Sequence, residues 1–464
     1  MLKAAAMMER AAPDVLVIGG GVAALCAAIA ARREGARVRL VEMAPRPMRG
    51  GNTRHSRNLR VMHDAPTPFS PGCYGADEFL AELRRAAEGQ GDPVLSRILV
   101  ARSANIVAWL AAQGVAFQRA GDGLLPFSRR TCFFFGGGKA AMNALYATAE
   151  HLGVVIGYDS GARHLDLADG HVQALELVTP SGPETLYPRA VVVCCGGAQA
   201  DLAGLRSWWG EAADRFLIRG MPYADGGILR DLIDQGAATA GAPGACHLVA
   251  VDARSPGVDG GIVIRVRGIP AGIVVDQGGR RFHDEGGDTG PTRYAVWGRK
   301  VAEQPGQIAW LILDAVAGQR VPATAFPPLR AATLPALARL AGLDPAALSD
   351  TVIGFNTAIR GEGRAGHTVG LAPDKTRHAL ALTKPPFAAI PIRPGITFTC
   401  HGIQVDAQAR VLLKDAGPVS NLYAAGMIMA QSILGTGYLA GAAVAIGAVF
   451  GRIAGTEAAR HAGR

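Results

Sequence analysis

The segment Asp14–Glu42, DVLVIGGGVAALCAAIAARREGARVRLVE, constrains what this chain can fold into more than any other. Val15–Ile18 is a short apolar run stopped by three glycines, the pattern of a parallel strand buried on both faces. The alanine-rich stretch Val22–Arg33 reads as a helix and Val38–Val41 as a second strand. Together they make a βαβ unit of about thirty residues, with Gly19, Gly21 and Ala24 in G-x-G-x-x-A spacing. Gly19 permits the tight turn, Gly21 lets the backbone approach a pyrophosphate, and Ala24 lets helix and strand pack closely. The N–H groups at the helix start, around Val22 and Ala23, then face the phosphates. Glu42, next to Met43, closes the second strand where a carboxylate binds ribose hydroxyls. A dinucleotide site is the reading; an ordinary α/β turn is the alternative.

Later glycine turns choose the dinucleotide. TCFFFGGGKAAMNALY sets Gly136–Gly138 before a helix, AVVVCCGG is a buried strand ending at Gly196 and Gly197, and the C-terminal stretch runs strand, glycine turn, apolar helix. A cofactor touched by the start, middle and end of a chain is long and largely engulfed. That describes FAD in a discontinuous domain better than NAD.

At 464 residues the chain exceeds one ordinary core, so two domains are expected. The apolar share of 49% argues for a compact α/β protein and against disorder. A net charge of +9 admits nucleic acid, an anionic membrane or an acidic small molecule as partner. No lysine block or basic–aromatic repeat supports nucleic acid. The seven cysteines form no C-x-x-C pair, which speaks against a metal or iron–sulfur site in this chain. The N-terminal MLKAAAMMERAAP is too short and charged for a secretory signal, and glycines interrupt the apolar stretches, so no transmembrane helix is expected.

Arg49–Arg60, RGGNTRHSRNLR, follows the second strand directly and crowds four arginines beside a Gly-Gly-Asn turn. Guanidinium forks match carboxylates and phosphates; the bland alternative is that Arg54, Arg57 and Arg60 are simply solvated.

The chain resembles the fumarate reductase/succinate dehydrogenase flavoprotein superfamily, and within it the FAD-dependent tricarballylate dehydrogenases and the flavin portion of CobZ-type precorrin-3B synthases. MRGGNTRHSRNLR, FFFGGGKAAMNALY, VDARSPGVDGGI, RRFHDEG, AEQPGQIAW, PIRPGITFT and GYLAGAAVAIGAVFGRIAG carry the likeness. It implies an α/β fold: a discontinuous Rossmann-like FAD-binding domain over residues 12–243 and 397–464, with an α+β capping domain inserted at residues 244–396. Period-two runs between residues 262 and 293 fit antiparallel strands, and helical spacing dominates from Gln304 to Arg364. The resemblance also implies contacts to FAD from Arg49, Gly50, Gly51, Asn52, Thr53, Arg57, Asn58, Asp225, Gly426, Met427, Gly437, Tyr438 and Leu439. Some relatives bond a loop histidine covalently to the flavin. Asn52 occupies that place here and His55 comes three residues later, so non-covalent FAD is expected.

By the same likeness the enzyme is an FAD-dependent dehydrogenase acting on CH–CH groups. One hydrogen leaves as hydride to the flavin, its neighbour as a proton, and arginines hold the substrate carboxylates. Arg293, after RRFHDEGGDTGPT, matches the proton-carrying arginine; Glu285 belongs to that run, and a structural partnership of Arg293 with Glu285 or Asp288 is the alternative. Arg265 and Arg267 are further candidates, and His247 matches a substrate-binding histidine that would otherwise be a satisfied core residue. Phe398 stands in place of a histidine, Tyr438 of a substrate arginine and Met427 of a glutamate, departures that point away from fumarate itself. The resemblance implies oxidation of a polycarboxylate such as tricarballylate, with electrons passing to a separate iron–sulfur and haem protein at the membrane. Alternatives are the tetrapyrrole chemistry of the precorrin-3B synthase relatives and an FAD-binding sensor or assembly protein without turnover. The expected location is the cytoplasm, with peripheral placement at the inner membrane through the electron-accepting partner as the alternative.

Overall fold

The computed structural model describes residues 12–121, 127–261, 264–289 and 293–463. The chain divides into two compact units: the first runs to Asp201 and adds Met221–Cys246 and Phe398 onward, and the second holds Leu202–Gly220 and His247–Thr397.

The first unit is built on a six-stranded sheet in the order Arg410–Leu413, Gly417–Ala424, Ala190–Val193, Val15–Ile18, Val38–Val41, Val155–Gly157. Every neighbouring pair is parallel except the first. Val15, Leu16, Val17 and all of Ala190–Val193 are completely buried, as expected of strands covered on both faces. The helix Val22–Arg33 and both strands of the βαβ unit fall where the sequence places them.

The alanines of that helix are there for a neighbour. The C-terminal helix, Ala442–Ala462, lays Gly447, Gly451 and Gly455 against it. A Cβ on Gly451 would lie 2.4 Å from the Ala23 carbonyl oxygen, so the two backbones meet with nothing between them. This helix is long and apolar enough to cross a bilayer, but 72% of its most apolar window is buried inside the unit. It is a core helix. An antiparallel three-stranded sheet, Gly161–Ala168, His171–Thr179 and Gly182–Leu186, completes the unit.

The second unit carries a mixed sheet in the order Leu217–Ile218, Phe387–Ile403, Ala309–Leu313, Ile273–Val275. Trp297, Phe355 and Leu348 fill its core. Thr333 and Asp344 cap the helices Leu334–Ala341 and Pro345–Ala358 with side-chain oxygens.

Three expectations change. Leu202–Gly220, assigned by sequence to the nucleotide domain, goes with the second unit because Arg219 N–H donates to Ile396 O and Ile218 N–H to Gly257 O, both at 2.8 Å. The period-two run GIVIRVRGI is not a regular strand over its described residues: Arg265 makes an isolated bridge to Val251 and Ile269–Ala271 is a 3-10 turn, while Ile262 and Val263 lie outside the described residues. The stretch read as mostly helical contains the fully apolar strand Ala309–Leu313, whose lack of alternation hid it.

Candidate functional site

In the first unit the chain presents a series of helix starts with glycine in place of a capping side chain. Gly21 precedes Val22–Arg33, Gly136 precedes Gly137–His151 and Gly441 precedes Ala442–Ala462; none has a side-chain cap or an acidic residue in its first turn. Several of the first N–H groups have acceptors within the protein, Val22 N–H at Thr53 Oγ1, Gly138 N–H at Ser56 O and Ala442 N–H at Leu439 O, and the positive end of each helix dipole still favours an anion there. Gly136 and Gly441 have φ of +75° and +80°, which only glycine adopts without strain.

At Gly19 and Gly20 the packing leaves no room for larger residues, whereas a Cβ on Gly21 would meet nothing nearer than Thr53 Oγ1 at 3.5 Å. A Cβ on Gly19 would lie 2.5 Å from the Cys194 carbonyl oxygen, joining the first strand to the turn that continues into Gly196 and Gly197. Glu42 is buried, accepts from Ala44 N–H at 3.0 Å and lies 3.4 Å from the Tyr146 hydroxyl, which donates to Gly20 O. Burial raises the Glu42 carboxyl above its ordinary range, and the hydrogen bonds to Ala44, Gly50 and Tyr146 oppose that. Thr53 Oγ1 accepts from Val22 N–H at 3.3 Å, so the Gly50–Thr53 loop is tied to the helix start. Asn52 Oδ1 accepts from Met221 N–H, and Asp225 Oδ1 from Gly227 N–H, each at 2.9 Å. Met43 packs on Gly161, and Leu439 and Met427 lie partly buried against the core. Gly426, at φ +84°, sits against Ala23, and Gly437 against the Ala86 carbonyl.

The crowded arginines separate into different environments. Arg49 stacks over Tyr146 at 4.1 Å and donates to Tyr158 Oη at 2.5 Å and Glu150 at 3.3 Å. Arg54 donates to Pro47 O. Arg57 is exposed and lies over Phe133 at 5.3 Å, and Asn58 donates to Thr131 Oγ1. Arg60 is not solvated. It is buried, pairs with Glu82, and donates to Tyr74 Oη at 2.7 Å and Ala440 O at 2.9 Å. Phe398 and Tyr438 lie with ring centroids 6.2 Å apart.

In the second unit a positive cluster gathers around His247. The imidazole is buried, edge-on to Tyr294 with centroids 6.5 Å apart, and the Arg265 guanidinium stacks 4.5 Å over the same tyrosine ring. Arg219 Nη1 donates to Thr397 Oγ1 at 3.1 Å. Burial, followed by the charges of Arg219 and Arg265, pushes the His247 pKa down to about 3, so the ring is neutral at physiological pH. Arg219 and Tyr294 were missed by sequence reasoning; Tyr294 directly follows the flagged Arg293 without being singled out itself, Arg219 lies in no flagged run, and folding brings both to His247.

Glu285 is elsewhere occupied. Its two oxygens accept from Arg281 at 3.0 and 2.7 Å, one of them also from Val274 N–H at 2.8 Å, and the carboxylate is fully buried. Its structural partner is thus Arg281. Arg267 is exposed. Arg293 begins the helix Arg293–Ala302, but its side chain lies outside the described residues.

The uncapped helix starts, the glycine cradle and the buried acid at the strand end suit a dinucleotide's phosphates and ribose, and comparison with known proteins agrees. The FAD binding domain family matches residues 14–444. The probable fumarate reductase Ifc3 of Shewanella frigidimarina is 27% identical over 463 residues, covering 97% of this chain and 75% of that protein. An NADH:fumarate oxidoreductase of Klebsiella pneumoniae is 28% identical over 97% of this chain, which spans only 48% of that longer protein. Among solved structures, the open conformation of a flavocytochrome c3 fumarate reductase superposes with a TM-score of 0.78 at 25% identity, covering 99% of this chain and 80% of that one. The chain therefore belongs to the FAD binding domain family: it is an FAD-dependent oxidoreductase with the fold of the fumarate reductase flavoproteins.

Proposed function

We propose that the protein dehydrogenates a polycarboxylate, with tricarballylate oxidised to cis-aconitate as the leading candidate, and hands the electrons to a separate iron–sulfur and haem protein. The carrying observation is the neutral, buried His247 beside Arg219 and Arg265. FAD, when bound, supplies the hydride acceptor. The chain supplies orientation and proton handling. Arg219 and Arg265 offer planar donor forks that fix a carboxylate's direction as well as its charge. Neutral His247 can donate one hydrogen bond to a carboxylate oxygen without adding a third positive charge. Arg293 takes the proton from the neighbouring carbon as a deprotonated guanidine and leaves the step as guanidinium.

The test is anaerobic mixing of the FAD-loaded protein with tricarballylate while the flavin absorbance is followed. Bleaching is the expected result. Absence of bleaching with every di- and tricarboxylate tried overturns the proposal in favour of the tetrapyrrole or non-enzymatic readings.

A further inference from the structure

Arg452, on the C-terminal helix, is a half-buried guanidinium stacked 4.8 Å over Trp109. It lines a cleft of about 330 Å³ together with Ile98, Arg102, Val449, Ile453 and Arg460. Arg460 is already compensated, 2.9 Å from Glu457 and 3.9 Å from Glu34. Among the described residues neither Arg102 nor Arg452 has an ion pair within 4.0 Å. Arg33, whose charge also acts on Arg452, is turned to Gln113 Oε1 at 2.8 Å, a neutral partner. Two uncompensated guanidinium groups beside three aliphatic side chains make a surface that favours a negative head on an apolar body. The volume matches the small end of ligand sites. The cleft is not part of the glycine turns described above: Arg452 is eleven residues beyond Gly441, about 16 Å along the helix.

We propose that this cleft binds a small amphipathic organic anion, its carboxylate or phosphate head held by Arg102 and Arg452 and its short apolar body resting on Ile98, Val449 and Ile453. The ligand does not react there. It neutralises charge midway along the C-terminal helix, at Arg452.

Octanoate is the probe, titrated calorimetrically into the FAD-loaded protein. Saturable binding at one site is expected, weakened about tenfold in Arg102→Gln and in Arg452→Gln, while octanol, which keeps the chain and lacks the charge, does not bind. Arg102 is exposed, so Arg102→Gln keeps the test informative if Arg452→Gln disturbs the Trp109 packing; retained FAD reports folding. Arg265→Gln separates this cleft from the His247 cluster and should leave octanoate affinity unchanged. No saturable binding, undiminished affinity in both cleft variants, or loss of binding in Arg265→Gln alone overturns the proposal.

Discussion

Gly455 of the C-terminal helix stands so close to Ala27 that a Cβ on it would lie 2.1 Å from the Ala27 carbonyl oxygen. The two helices that meet there both begin at glycine turns, one at Gly21 and one at Gly441. Gly455→Val forces the helices apart. A loss of about 1–3 kcal/mol is expected from overpacking, read by urea denaturation, with a lower FAD content in the purified variant.

The Arg60–Glu82 pair is buried on both sides, with side-chain exposures of 7% and 8%. Glu82→Leu leaves a buried guanidinium with only neutral oxygen partners, and about 3–5 kcal/mol of stability should be lost. The double variant Arg60→Met/Glu82→Leu should recover a large part of that loss. A double variant no more stable than Glu82→Leu contradicts this account.

His247 predicts a pH dependence. Its ordinary pKa of 6.5 applies to the unfolded chain and about 3 to the folded one. Between those values the unfolded state binds more protons, so stability falls as pH drops from 6.5 toward 3 and is unaffected by this group above 6.5. His247→Gln should flatten that part of the denaturation-midpoint profile and leave the neutral region parallel to wild type. A profile of unchanged slope would show that His247 is not buried uncharged.

Arg265→Gln removes a fork without touching the glycine turns. The KM for the polycarboxylate should rise about tenfold or more, with FAD content unchanged.

Arg293→Lys tests the proton step. Flavin reduction by substrate should be abolished while FAD stays bound, because lysine cannot reproduce the planar guanidinium geometry. Wild-type rates in this variant would remove Arg293 from the mechanism.

The βαβ unit was readable in the sequence because its signals are local: an apolar run, three glycines and an alanine helix each act over a few residues. The same locality made Gly19, Gly21 and Glu42 legible, and the C-terminal glycine turn as well. The fate of the arginines was not. Arg49 finds Glu150 across 101 residues and Arg60 finds Glu82 across 22, separations that no motif records. A sequence states that a side chain is charged; which carboxylate answers it depends on how helices and strands pack. Strand pairing likewise carried Leu202–Gly220 into the second unit, where Arg219 joins His247 and Arg265. The chain alone therefore determined the nucleotide turn, since close backbone approach demands small residues in order. Tertiary structure decided which positive charges were spent on holding the fold and which were gathered around His247, because the balance between burial and pairing exists only once distant segments share one core.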